Sequence, residues 1–226
     1  MFWYDNTIML IIPAMIISFW AQTKVNSTFS KYSRVNSING YTGAKVARML
    51  LDSNGLYDIP VEITGGKLSD HYDPRNRVMR LSNDVYYGSS VAAIGVAAHE
   101  TGHAIQHRLR YFPLILRNSI VPAANIGSNA SWILFVAGMI FKLKPLINFG
   151  IIMFSIVVLF HVITLPVEFD ASNRALKIIE DRGILYGDEN KGAKKVLKAA
   201  AMTYVAATLM AVSQLIRLLI LSRNED

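Results

Sequence analysis

Four apolar blocks, at about residues 6–21, 121–141, 146–165 and 199–220, constrain this chain more than any other feature. A helix needs roughly 17–25 apolar residues to cross a bilayer. The blocks therefore predict an α-helical membrane protein with about four transmembrane helices. Composition agrees: 52% of the 226 residues are hydrophobic, above the roughly 45–50% of a soluble domain with glycine counted. The net charge of +7 is compatible with nucleic acid, but the Lys and Arg cluster in segments that would be cytoplasmic. A lipid bilayer is thus the better partner, and no nucleic-acid partner is expected.

The first block is short for a span, with Phe2, Trp3 and Tyr4 at one end and Phe19 and Trp20 at the other, as in an interfacial belt. A cleaved signal peptide is the competing reading, but residues 1–7 carry no Lys or Arg, so an uncleaved anchor is preferred. Of the 23 basic residues, 12 precede the second block, 2 (Lys142 and Lys144) lie in the tight connection before the third, and 7 lie between the third and fourth. The positive-inside rule then places both large loops in the cytoplasm and both termini outside. The expected organisation is an anchor over 1–21, a cytoplasmic domain over 22–117 and a transmembrane hairpin over 118–165. A cytoplasmic segment over 166–198 and a final span with its tail over 199–226 complete it.

Within 22–117, residues 42–53 read as a helix capped by Thr42, with Val46, Met49 and Leu50 as its stripe. Residues 58–64 alternate as a strand ending at Gly65-Gly66, Asp70-His71-Tyr72-Asp73-Pro74 reads as a turn, and 77–82 as a second strand. Ser89 or Ser90 caps a helix that runs to about Leu109, whose small and apolar residues suit burial on several sides. This is a small α+β unit.

That last helix carries His99-Glu100-Thr101-Gly102-His103, an H-E-x-x-H pattern. Residues i and i+4 share a helix face, so both imidazoles can reach one Zn²⁺. Glu100 is not a ligand; it projects beside the metal, where it can take a proton from water. With no cysteine in the chain, the remaining ligand must be His, Asp or Glu. No Asp or Glu occurs over 104–167, and the first carboxylate beyond is Glu168. A hairpin that leaves and returns on one side brings Glu168 back to the motif.

The rivals fare less well. His99 and His107 lie about 12 Å apart along a helix, too far for one ion with bonds of about 2.1 Å. His107 is read as a surface or supporting residue, and His71 as a turn residue. Gln106 and Leu109 stand where a metzincin would continue its motif. His161 lies within a span, about 10 Å from Glu168 on a helix; it is either functional or a neutral histidine hydrogen-bonded in the bundle. Asn125, Ser128, Asn129 and Ser131 read as helix-to-helix hydrogen bonding rather than a hydrated cavity. Asp170 and Asn173 are candidates to orient a ligating histidine, and Arg174 to stabilise an oxyanion. The 77–82 strand is either an edge that pairs with an extended peptide or simply a sheet partner.

With the His99-Glu100-x-x-His103 motif, the hairpin, Glu168-Phe169-Asp170-Ala171-Ser172-Asn173-Arg174-Ala175, and Leu68-Ser69-Asp70-His71-Tyr72-Asp73-Pro74-Arg75 in hand, the chain resembles the bacterial YugP-like neutral zinc metallopeptidases over nearly its whole length. It is more distantly similar to the HtpX-like gluzincin membrane proteases. In those the glutamate ligand opens an E-x-x-x-D pattern, whereas here Ser172 holds the last position and the aspartate stands at 170. The resemblance implies a zincin-like cytoplasmic domain, one zinc per chain on His99, His103 and Glu168, and Glu100 as catalytic base. It implies a zinc endopeptidase acting on polypeptides, membrane proteins foremost, in a multi-pass cell-membrane protein. The alternatives are a non-catalytic zinc-binding membrane scaffold and, more weakly, a transporter.

Overall fold

The computed structural model describes residues 6–223. Phe2, Trp3 and Tyr4 of the expected belt lie outside them, as does the tail from residue 224. After a 3₁₀ turn at Asn6–Leu10, the elements are α1 (Ile12–Tyr32), α2 (Gly43–Ser53), β1 (Val61–Thr64), β2 (His71–Asp73), β3 (Val78–Ser82), α3 (Asn83–Tyr86), α4 (Val91–Arg108), α5 (Phe112–Phe141), α6 (Lys144–Asp181) and α7 (Asp188–Arg223). Four helical stretches, Thr7–Tyr32 and those of α5, α6 and α7, are long and apolar enough to cross a membrane.

The chain packs as two compact units. One holds the described residues up to Gln22, Ile115–Pro166 and those from Thr203 onward. Its core joins Phe135 of α5, Ile147 and Ile151 of α6 and Leu218 of α7. Close backbone approach makes the α5–α6 hairpin: a Cβ on Gly150 would lie 2.8 Å from the Ser131 carbonyl oxygen. The hairpin turns at Lys142, in the left-handed region at φ 53°, and Leu143 N–H donates to Gly138 O. Ser128 and Asn129, expected to bridge helices, instead donate to the Asn125 carbonyl within α5. A helix carbonyl one turn away is nearer than any neighbouring helix.

The other unit holds Thr23–Leu114 and Val167–Met202. Helix α4 runs through its middle. On one side α4 packs with Ala47 and Leu51 of α2, Tyr72 of β2 and Met79 and Leu81 of β3. On another it meets Val46 and Leu50 of α2, Ala175 and Ile179 of α6 and Ala193 and Leu197 of α7. An alanine- and glycine-rich sequence suits this place, because small side chains let several neighbours approach. Thr42 and Ser90 cap α2 and α4 by accepting from Lys45 N–H and Ala93 N–H.

The sheet corrects one expectation and decides an open one. Residues 71–73 are not part of a turn but a strand, antiparallel to β3. The turn comes at Asp73, whose carboxylate accepts from Arg75 N–H, Asn76 N–H and the Asn76 amide, an aspartate-stabilised turn that closes the hairpin. Strand β3 is consequently not an edge: the order is β1-β3-β2, with β1 parallel to it. The edge nearer the motif helix is β2.

Candidate metal centre

Local helix geometry stacks His99 and His103 on one face of α4, their rings edge-to-face at 4.8 Å. Glu168, on α6, supplies the third group. His99 Nε2 lies 3.3 Å and His103 Nε2 3.5 Å from Glu168 Oε2, and one ligand atom from each residue lies within 4.8 Å of the others. Ligand atoms around a tetrahedral zinc with bonds of about 2.0–2.1 Å stand roughly 3.3–3.4 Å apart. The observed spacings thus fit a divalent cation held by two imidazoles and a carboxylate. Glu168 is buried, at 3% exposure.

The two helices come this close because of Gly102. A Cβ there would lie 2.6 Å from the Ala171 carbonyl oxygen, so only glycine lets α6 rest directly on the motif. Each of the two histidines has a hydrogen-bond partner at its other ring nitrogen. His99 Nδ1 lies 3.1 Å from Ser172 Oγ, and His103 Nδ1 3.0 Å from Gln106 Oε1. Gln106 Nε2 donates to Val167 O and to Asp170 Oδ2, both at 2.8 Å. With both amide hydrogens so used, Oε1 must accept, and His103 Nδ1 carries the proton. That leaves Nε2 as the nitrogen presented to Glu168, as a metal ligand requires.

Glu100 is buried at 8% exposure, and its Oε2 accepts from Tyr72 N–H at 3.0 Å. Burial pushes its carboxyl up to about 7; the Glu168 and Asp70 carboxylates add to the rise, and His99 and the Tyr72 N–H oppose it. Asp70, raised by burial, accepts from Ser82 N–H and Oγ–H. Tyr72 also pairs its hydroxyl with His107 Nδ1 at 2.9 Å. Burial lowers the His107 imidazole below its ordinary range.

The direct partners of His99 and His103 are therefore Ser172 and Gln106, not Asp170 or Asn173. Asp170 reaches His103 only through Gln106, and Asn173 is exposed. Arg174 donates through Nε to Asp170 Oδ2 at 2.5 Å and lies over the Tyr111 ring. His161 belongs to the other unit, where its carbonyl accepts from Thr208 Oγ1. The sequence does carry signals for the missed pair: Gln106 is i+3 from His103 and Ser172 is i+4 from Glu168, each on its ligand's helix face.

Four apolar helices and a His-His-Glu cluster, its glutamate buried, with a second glutamate beside it define a helical protein with a candidate metal site. The chain belongs to the family described as "Putative neutral zinc metallopeptidase", whose model matches residues 7–223. It is 52% identical over 217 residues to the "Putative membrane protease YugP" of Bacillus subtilis (strain 168), covering 96% of both chains. No solved structure matches it.

Proposed function

We propose that this chain is a multi-pass membrane zinc endopeptidase of the gluzincin type that hydrolyses polypeptides in or at the membrane, with its active site on the cytoplasmic side. One observation carries the reading: three metal-ligand atoms converge at His99, His103 and Glu168, one residue from the buried, anchored Glu100 carboxylate. The family and the name of the Bacillus relative support it.

His99, His103 and Glu168 would hold one zinc ion, which when bound supplies the Lewis acidity that makes water nucleophilic near neutral pH. Glu100 takes the proton from the attacking water and returns it to the leaving amine. The Tyr72 N–H fixes one oxygen of that carboxylate, so its orientation is set before substrate arrives. Strand β2 places the outer edge of the sheet beside Glu100, and an extended polypeptide adding to that edge would lie next to the base.

The test is zinc content and casein cleavage in purified wild type, Glu100→Gln and Glu168→Ala. Wild type and Glu100→Gln should hold about one zinc per chain, with cleavage by Glu100→Gln down about 10²–10⁴-fold. Glu168→Ala should lose the metal. Zinc-loaded wild type that cleaves no unfolded protein would favour a zinc-binding scaffold instead.

A further inference from the structure

We propose that Gln106 is a positioning residue of the metal centre with two tasks: it selects the nitrogen that His103 presents to the metal, and it holds the Glu168-bearing turn of α6 in register against α4. The inference rests on reading His99, His103 and Glu168 as a zinc site.

Gln106 is fully buried, at 0% exposure. A buried amide needs partners wherever it sits, so burial alone assigns it nothing. The identity of its partners does. Its oxygen faces one ligand, His103. Its two hydrogens go to Val167 and Asp170, which flank the other ligand, Glu168, along α6. One planar group therefore spans the two helices that make the site.

The amide has one workable orientation. Turned over, its oxygen would oppose the Val167 carbonyl and the Asp170 carboxylate, acceptor against acceptor, and its NH₂ would crowd the protonated nitrogen of His103. The tautomer of His103 is thus set from α6. The register follows from the same bonds. Sliding α6 by one residue would move Glu168 about 1.5 Å and turn it roughly 100° about the helix axis, breaking both donations from Gln106. The Gly102 contact brings the helices together but names no hydrogen-bond partner along α6, since it is a steric contact with the backbone of one residue, Ala171. Arg174, bonded to Asp170 Oδ2, holds the far end of the chain of contacts.

The experiment measures Zn²⁺ affinity of the purified full chain by competition with a chromophoric chelator, and the visible spectrum of the Co²⁺-loaded protein, in four forms. These are wild type, Gln106→Ala, Gln106→Glu, and Gln106→Glu combined with Asp170→Asn. Gln106→Ala should bind zinc about 10–100-fold more weakly, with a weakened or shifted cobalt band. Gln106→Glu should be at least as impaired, because its carboxylate faces the Val167 oxygen and the Asp170 carboxylate. Adding Asp170→Asn restores a donor opposite position 106 and should recover part of that loss.

Wild-type affinity and an unchanged cobalt spectrum in Gln106→Ala would overturn the proposal. So would a combined variant that binds no better than Gln106→Glu alone, and this comparison decides the matter if Gln106→Ala fails to fold. A wild type that holds no zinc would overturn both this inference and the proposed function. Absence of cleavage with these affinities as expected would overturn only the peptidase reading.

Discussion

Glu100 sits one residue from a ligand imidazole, near two further carboxylates and almost out of water, where an ionised carboxyl is costly. Burial first, then those neighbours, push it up to about 7 from an ordinary 4.5. A carboxyl raised in the folded state contributes stability that is complete below about 4.5 and lost as pH rises through about 7. In chelator-treated protein, wild type should therefore lose stability relative to Glu100→Gln between about pH 5 and pH 8, by on the order of 3 kcal/mol. Unfolding by denaturant at both pH values measures it. A gap between the two proteins that does not change with pH would show that Glu100 does not titrate in this window. Bound metal should shrink the effect, since a nearby cation favours the charged form.

The decisive contact between elements is α4 on α6. Gly102 lies inside the H-E-x-x-H motif, yet its role is to admit the Ala171 carbonyl. Adding one methyl by Gly102→Ala places carbon 2.6 Å from that oxygen, and the backbone cannot swing away as a side chain can. The expected cost is about 1–3 kcal/mol of stability. Because any relief moves α6, Glu168 retreats from the histidines and zinc affinity should fall by about tenfold or more. Unchanged affinity in a folded Gly102→Ala protein would mean that the helices can separate without disturbing the ligands. The sheet meets the same helix differently: Asp73 closes the hairpin, Tyr72 follows the pairing with β3, and its N–H is free of the ladder to hold Glu100.

Across the whole molecule, one unit presents large apolar side chains on its outside, including Phe19, Ile133, Phe149 and Ile152. A surface of that kind supports the membrane location proposed above. The distribution of Lys and Arg is the ground for the orientation proposed above. The chain contains no cysteine, so single introduced thiols report location without background. Tyr57→Cys, at an exposed position between α2 and β1, should resist a membrane-impermeant maleimide in intact cells and react after lysis. Lys142→Cys, in the α5–α6 turn, should react in intact cells. The reverse pattern would invert the topology and put the metal centre outside.

The sequence by itself determined what depends on short stretches of chain. The apolar runs, the cap Thr42, a serine cap at 89 or 90, and the i, i+4 histidines are set by residues within a few turns of one another. Glu168 was legible for a different reason: with no carboxylate over 104–167 and no cysteine anywhere, few groups remained to complete a ligand set. Only the tertiary structure decided which residues bond to the candidate ligands. Ser172 meets His99 across 73 positions, and Gln106 meets Val167 and Asp170 across 61 and 64. Asp170 was a candidate to orient a histidine directly, but on α6 it is Ser172 that reaches His99, while Asp170 meets α4 at Gln106. The place of β3 at the centre of its sheet was likewise hidden, because β2 has three residues, too few for alternation to appear. Pairing between strands and contact between helices are settled by how distant surfaces fit, and a local pattern carries no record of that fit.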